Sequence, residues 1–183
     1  MLNFEHLVNQ CIKGHSKAQR QLYDLLKPKL MGLCRRYAPD RAGAQDCLQE
    51  AFIKIFNNLP QLSEATKLEP WAKAITVRVC ISHFHRWQKS EIVRLETDNI
   101  SETSIGIEGH HLEAQQLVEI IDTLPLGCKM VFNLYEIEGY KHSEIAELMG
   151  ISVGSSRSQL NYAKELLKKK LNKMASISYE KSA

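Results

Sequence analysis

Apolar residues recur every three to four positions along almost the whole chain, which restricts it to helical folds. At the start, for example, Phe4, Leu7, Val8 and Cys11 fall on one face of a helix. Alternation with a period of two, the mark of a half-buried strand, is almost absent. The chain is therefore predicted to be all-α, and its 183 residues leave room for one domain or two small ones.

The helical segments form two groups, separated by a stretch without a helical face. We predict a helical domain over residues 1–90, a linker over residues 91–111, a second helical domain over residues 112–174 and a frayed tail over residues 175–183. The linker is acidic and rich in Ser, Thr and Gly, so it is expected to be flexible. The second helix of the first domain contains Pro28, which is expected to kink or split it.

The net charge of +3 hides an uneven distribution. Residues 1–90 hold 14 Lys and Arg against 7 Asp and Glu, residues 91–115 hold 1 against 6, and residues 116–183 hold 9 against 8. The first domain is therefore the expected electrostatic anchor for nucleic acid. Because the C-terminal part is almost neutral, its own affinity for duplex DNA is predicted to be weak.

Several classes of protein are disfavoured by what the sequence lacks. No apolar run approaches the roughly 20 residues that span a bilayer, and the N-terminal residues lack a secretory signal. We therefore expect a cytoplasmic protein without membrane insertion. The five cysteines form no CxxC pair and are interpreted as reduced core thiols. Walker, Rossmann, GxSxG and HExxH patterns are absent, so no enzymatic activity, cofactor or metal site is expected.

The segment from Ser143 to Leu167 has the pattern of a helix-turn-helix. Ala146 is small where two helices would cross, Gly150 suits the positive φ at the end of the first helix, and Ser152 can cap the second. A second helix of this kind enters a major groove, where Arg can pair with guanine and Gln with adenine. An ordinary αα-hairpin is the alternative. The predicted contacts to base edges and phosphates come from Ser152, Ser155, Ser156, Arg157, Gln159, Asn161 and Lys164.

A stripe of acidic and amide side chains lies on one predicted helix of the first domain. Asp46, Gln49, Glu50 and Ile53 recur at i, i+3, i+4 and i+7. An acidic stripe in a basic domain is a candidate docking surface for a basic partner, because complementary charge sets register and association rate. The alternative is a helix face that is simply solvated.

Aromatic and cationic residues alternate between Glu69 and Lys89. Aromatic rings can stack on unpaired bases, at about 1–3 kcal/mol each, while cations follow the phosphates. Trp71 and Phe84 fit the buried stripe of this helix instead. The candidate nucleic-acid contacts are Lys73, Arg78, His83, His85, Arg86, Trp87 and Lys89.

These motifs, in this order and with this linker, resemble a bacterial RNA polymerase sigma factor of the extracytoplasmic-function (ECF) group over about residues 5–171. The stretch Asp46-x-x-Gln49-Glu50-x-Phe52 is similar to region 2.2 of that family, which binds the polymerase clamp. Leu124-Pro125, followed by the helix-turn-helix, is similar to region 4. The resemblance implies that core polymerase is bound by Asp46, Gln49, Glu50, Phe52, Ile53 and Phe56.

The resemblance also implies a non-enzymatic specificity subunit with two domains. The first would recognise and help to melt the −10 promoter element, with the loop Leu59–Leu68 and the helix Trp71–Lys89 at the −10 strand. The second would read the −35 element and touch the polymerase flap. The acidic linker would thread towards the RNA exit path. An inhibitory anti-sigma factor is a further partner that the family implies.

The sequence departs from the family pattern in two places. Arg78 and Ser82 stand where Asn and Asp are usual, and Ser156, Gln159 and Tyr162 stand where Val, Arg and Arg are common. The second departure removes two cations, so weaker phosphate binding by the C-terminal domain is expected.

Two alternatives to a sigma factor belong to other functional classes. A stand-alone helix-turn-helix regulator would bind operator DNA unaided, usually as a dimer on paired half-sites. The acidic stripe argues against this alternative, because a free repressor has no need of it. A purely helical interaction module would bind no nucleic acid at all.

Overall fold

The computed structural model describes the backbone of residues 4–95 and 114–180. Every regular element within these two ranges is helical, which confirms the prediction of an all-α fold for the part of the chain that the structure describes. The α-helices are α1 (Phe4–Ile12), α2 (Ser16–Tyr37), α3 (Arg41–Asn58), α4 (Leu68–Leu95), α5 (Ala114–Asp122), α6 (Leu126–Phe132), α7 (His142–Met149) and α8 (Val153–Glu180).

The chain divides into two compact units, Met1–His85 (unit 1) and Arg86–Ala183 (unit 2). The division falls inside α4, which continues to Leu95 and so includes the first residues of the predicted linker. The remainder of that linker, residues 96–111, lies outside the described residues.

The last helix is longer than its sequence pattern predicts. Its apolar period fades near Lys173, yet α8 continues to Glu180. The first six residues of the expected tail are therefore helical, and the last three lie outside the described residues.

Unit 1 is organised around the leucine face of α2. Leu22, Leu26, Leu30 and Leu33 are all buried, and α2 packs against α1 and α3. The start of α3 is capped by Asp40, whose Oδ1 accepts a hydrogen bond from the Gly43 N–H at 2.7 Å. This cap satisfies one of the backbone donors that every helix start leaves free.

Of the kink or split expected at Pro28, the split does not occur. The helix α2 is unbroken from Ser16 to Tyr37, and Pro28 is exposed. Leu26 and Leu30 are anchored in the core on either side of it. Proline removes one hydrogen bond of the helix, and this loss is tolerated at a position whose backbone faces water.

Three thiols from three helices meet in the core of unit 1. Cys34 lies on α2, Cys47 on α3 and Cys80 on α4, and all three are fully buried. Hydrogen bonds with Cys34 and Cys47, together with burial, raise the pKa of the Cys80 thiol far above its ordinary value. All five cysteines of the chain are free and buried, in agreement with their interpretation as core thiols.

Unit 2 contains the predicted helix-turn-helix. Gly150 follows α7 with a φ of +64°, and the Ile151 N–H donates to the Ala146 carbonyl at 3.0 Å, which closes the end of the helix. The Ser155 N–H donates to Ser152 Oγ at 2.9 Å, so the predicted N-cap of α8 is confirmed. Upstream, α6 ends in a π-helical turn, Asn133–Ile137.

A small apolar core holds α5, α6 and α8 together. Ile120, Ile121 and Leu124 pack with Cys128, and α8 contributes Ala163 and Leu167 as its buried face at this end. None of the helices that the structure describes is long and apolar enough to cross a membrane.

Candidate functional site

Three residues of the acidic stripe are exposed side by side on α3. Asp46 and Gln49 are exposed, and Ile53 is 61% exposed, the largest value among the exposed large apolar side chains described. We call Asp46, Gln49 and Ile53 the α3 stripe. A carboxylate and an amide beside an exposed aliphatic group form a surface that can bind another protein by charge and by burial.

Glu50, the fourth member of the predicted surface, is held by neighbouring side chains. His83 Nε2 on α4 donates to Glu50 Oε2 at 2.8 Å, and Lys54 Nζ lies 3.0 Å from Glu50 Oε1. The Glu50 side chain is 31% exposed. It therefore borders the α3 stripe while being bonded within unit 1.

Phe52 is not part of a docking surface, which corrects the assignment that the resemblance implied. It is buried, and its ring centroid lies 4.4 Å from that of Tyr23 and 6.0 Å from that of Phe56. At about 100° per residue, a position six residues beyond Asp46 lies on another face of the helix. Phe56 is half-buried beside this cluster.

Cations are exposed along α4. Arg78, His85 and Arg86 are exposed, and Trp87 is half-buried. Lys73 is half-buried, with its Nζ 3.4 Å from Glu69 Oε1. The side chain of Lys89 lies outside the described ones. The structure thus exposes three of the predicted contacts on α4, namely Arg78, His85 and Arg86.

His83 does not share this exposed face, so its assignment as a −10 contact needs correction. Its side chain is only 10% exposed, and its ring is bonded to Glu50. It occurs among exposed basic residues in sequence, but the helical period turns it towards α3. The loop before α4 is anchored by buried Leu59 and Leu68, and its exposed part lies between them.

Near the start of α4, Glu69 is bonded to Lys29 of α2. The hydrogen bond from Lys29, followed by its charge and that of Lys73, outweighs burial and lowers the pKa of Glu69. Lys73 therefore shares a carboxylate with Lys29 instead of standing alone.

The exposed face of α8 carries Arg157 and Asn161, one helical turn apart. Ser155 is half-buried and its Oγ lies 2.9 Å from Ser152 Oγ. Ser152 serves as the helix cap. Lys164 is exposed, but its Nζ lies 2.7 Å from Glu136 Oε1 on the π-helical turn.

Ser156 and Gln159 are turned away from this exposed face, contrary to the prediction. Ser156 is fully buried, and its Oγ lies 2.9 Å from His142 Nδ1 on α7. The Oε1 atom of Gln159 is buried against Gly127, where a Cβ would come within 3.3 Å of it. Gly127 therefore leaves room for the Gln159 carboxamide at the start of α6.

The sequence contained a signal for the burial of Ser156 that the motif obscured. Ser156 is in helical register with Leu160, Ala163 and Leu167, all of which are buried. His142 was missed altogether. It stacks on the Tyr135 ring, with 4.4 Å between centroids, and joins α7 to α8 through Ser156.

Unit 2 also contains a buried cation that the sequence did not reveal. Lys129 on α6 is 3% exposed, and its Nζ lies 2.7 Å from Asp122 Oδ1 at the end of α5. Within the described residues, no three His, Cys, Asp or Glu side chains are grouped so as to hold a metal ion.

Comparison with protein families gives two matches in the same order as the motifs. The profile of Sigma-70 region 2 matches residues 22–90, and that of Sigma-70, region 4, matches residues 114–167. Together these ranges cover more than half of the chain.

Relatives that match along most of the chain are also sigma factors. The chain is 27% identical over 177 residues to the ECF RNA polymerase sigma-E factor of Escherichia coli (strain K12), and the match covers 90% of this chain and 92% of that protein. It is also 27% identical over 173 residues to the probable RNA polymerase sigma factor RfaY of Xanthomonas campestris pv. campestris, covering 91% of this chain and 43% of that protein.

A solved structure has a similar fold. It is the sigma factor RpoE from Bartonella quintana, determined in complex with the anti-sigma factor NepR. The TM-score is 0.54 at 16% identity, and the match covers 84% of this chain and 96% of that one.

Proposed function

The chain belongs to the sigma-70 family and is an ECF sigma factor, and on this premise we propose that α3 of unit 1 binds core RNA polymerase, that α4 binds the −10 element and that α8 of unit 2 binds the −35 element. As a sigma factor, the protein is a promoter-specificity subunit that binds core polymerase and promoter DNA and directs the initiation of transcription. The chemistry of RNA synthesis then belongs to the polymerase, and the chain itself is not an enzyme.

The single observation that supports polymerase docking by unit 1 is the α3 stripe. It presents a carboxylate, an amide and the most exposed aliphatic side chain of the described residues on one face. Full burial of an isoleucine contributes about 1.5–3 kcal/mol, and opposite charge on the partner accelerates association. Glu50 borders the stripe and contributes its remaining exposed surface.

The test is a titration of core polymerase with a labelled full-length chain. We expect Asp46→Arg combined with Ile53→Asp to abolish detectable binding. A matched control is Glu5→Arg combined with Ile12→Asp, which changes an exposed carboxylate and an exposed isoleucine on α1. The control should bind as the wild type does. Wild-type affinity for the α3 variant would disprove docking through the stripe.

For the promoter contacts, we assign the −10 strand to α4, where Arg78, His85 and Arg86 are exposed and Trp87 is half-buried. The −35 element is assigned to α8, where Arg157 and Asn161 are exposed. If Arg157 reads a base, Arg157→Ala should cost about 1–3 kcal/mol and relax specificity at one promoter position. A uniform loss across sequences, with a shallower salt dependence, would assign Arg157 to a phosphate instead.

Run-off transcription with purified core polymerase distinguishes a sigma factor from a stand-alone regulator. We expect promoter-dependent product only when this protein is added, and weak binding to duplex DNA in the absence of polymerase. Tight operator binding by a dimer without polymerase would favour the regulator.

Two further assignments follow from this function. The protein should act in the cytoplasm, where polymerase and promoter DNA are found. An anti-sigma factor is proposed as an inhibitory partner, because the Bartonella quintana protein of similar fold was determined with NepR. Co-purification of the tagged chain from its source cells, analysed by mass spectrometry, would identify such a partner.

A further inference from the structure

One hydrogen bond of unit 1 joins α3 and α4, to which separate functions are assigned above. His83 Nε2 on α4 donates to Glu50 Oε2 on α3 at 2.8 Å. The two residues are 33 positions apart in sequence, so the bond is a tertiary contact between helices. It lies between the proposed polymerase surface and the proposed −10 surface.

Both partners occupy central positions on their helices. Glu50 comes four residues after Asp46 and three before Ile53, so it borders the α3 stripe near the middle of its length. On α4, His83 lies between Arg78 and Arg86 in sequence, but its side chain faces α3. The bond therefore joins the backbone segments that carry the two surfaces.

The burial of His83 and the contacts of Glu50 fix the geometry of this bond and make it hard for water to replace. The His83 side chain is 10% exposed, and a buried imidazole needs a hydrogen-bond partner. Lys54 lies at one oxygen of Glu50 and His83 at the other. Contacts at both oxygens restrict the rotamer of the Glu50 side chain, and a charged acceptor makes the stronger kind of hydrogen bond.

We propose that His83 is a positioning residue that holds Glu50 and thereby couples polymerase docking by α3 to engagement of the −10 strand by α4. The proposal rests on the proposed function of unit 1. When polymerase binds the α3 stripe, the bond transmits the fixed orientation of α3 to the exposed cations of α4. His83 itself contacts neither polymerase nor DNA.

The experiment measures promoter melting by reconstituted holoenzyme, using a fluorescent base in the −10 element at saturating sigma factor. His83→Leu removes the donor and should reduce melting about tenfold, the size expected for one hydrogen bond to a charged group. His83→Gln provides an N–H donor of similar reach and should retain melting within about twofold. Loss of melting in both variants would overturn the proposal.

A double-mutant cycle separates positioning from a general loss of structure. Glu50→Ala should reduce melting as much as His83→Leu, and the double variant should be no worse than either single one. Asp46→Ala combined with His83→Leu should instead give additive losses, because Asp46 makes no bond to the described side chains of α4. Additivity between His83 and Glu50 would contradict the coupling. Because Glu50 is partly exposed, Glu50→Ala keeps the test valid even if His83→Leu fails to fold.

The outcomes also distinguish this proposal from the one on which it rests. If Asp46→Arg with Ile53→Asp binds core polymerase normally, the docking surface itself is wrong. If that variant loses binding while His83→Leu melts promoters as well as the wild type, only the positioning role of His83 is wrong.

Discussion

The two units hold their proposed DNA-binding helices in different ways. In unit 1, α4 is bonded to α3 through His83 and the carboxylate of Glu50, which is 31% exposed. In unit 2, α8 is bonded to α7 through His142 and the fully buried hydroxyl of Ser156. The first bond therefore ends on a carboxylate that a partner can touch, whereas the second ends on a hydroxyl that is fully buried.

The cores of the units differ as well. Unit 1 has nearly twice as many buried apolar side chains as unit 2 among the described residues. It buries the polar residues Thr76 and His83, while unit 2 buries Lys129, Asn133 and Ser156 in its smaller core. Burial of apolar surface is the main source of stability, and buried polar groups add little beyond the cost of their desolvation. Unit 2 is therefore expected to be the less stable of the two.

The largest expected effect tests whether each core stabilises its own unit. Leu30 and Leu134 are both fully buried, one in each unit. Leu30→Ala should lower the free energy of unfolding of unit 1 by about 2–5 kcal/mol, and Leu134→Ala should do the same for unit 2. Hydrogen exchange measured by mass spectrometry resolves the two units. Equal loss of protection in both units from either variant would show that they unfold together.

The next effect concerns the ion pair in unit 2 between the buried Lys129 and Asp122. Asp122→Ala leaves the buried ammonium of Lys129 without this carboxylate and should cost about 1–3 kcal/mol. Lys129→Met replaces the cation by an apolar side chain of similar length and should cost less, because Asp122 is 46% exposed and can be hydrated. Urea unfolding measures the loss of stability in both variants. A larger loss for Lys129→Met than for Asp122→Ala would mean that the lysine stem, not its charge, carries the contribution.

A smaller effect sharpens the comparison of the two interhelical bonds. Ser156→Val deprives His142 of its hydroxyl partner and should destabilise unit 2 by about 1 kcal/mol. Adding His142→Phe replaces the polar contact by an apolar one and should restore most of that loss. The matched pair in unit 1, Glu50→Ala and His83→Leu, should affect promoter melting, whereas the pair in unit 2 should change thermal stability alone. Impaired promoter melting by the Ser156→Val, His142→Phe variant, at wild-type stability, would show that the bond of unit 2 also has a role in function.

The fold was largely predictable, because the helical period of the apolar residues is strong and local. Gly150 and Ser152 were assigned correctly, since turn and cap geometry depends on neighbours in sequence. The split at Pro28 was a wrong expectation, because the packing of α2 on both sides of this residue outweighs its local preference.

The site was less predictable, for two different reasons. The burial of Ser156 could have been predicted from the sequence, because Ser156 is in helical register with the buried Leu160 and Ala163. The bond between His83 and Glu50 was not, because it depends on the packing of two helices that are distant in sequence. Residue types and spacing thus indicated where the proposed binding surfaces lie. Tertiary contacts determine which of the predicted residues are exposed on them.

The smallest expected effect concerns a surface ion pair of unit 1, between Lys29 on α2 and Glu69 at the start of α4. Lys29 lowers the pKa of Glu69, mainly through a hydrogen bond. A carboxyl group with a lowered pKa in the folded state contributes stability above its unfolded pKa and loses that contribution as the pH falls through the folded value. The two side chains are 54% and 40% exposed, so the contribution at neutral pH is at most about 0.5 kcal/mol.

Glu69→Gln should therefore lower the stability of unit 1 slightly at neutral pH and leave it unchanged in acid, where the wild-type carboxyl is protonated. Unit 2 should show no difference between the two proteins at either pH, because both members of the pair lie in unit 1. Urea unfolding at the two pH values, followed by hydrogen exchange for each unit, provides the measurement. A stability difference that persists in acid would assign the role of Glu69 to packing at the start of α4, since protonation would then remove nothing.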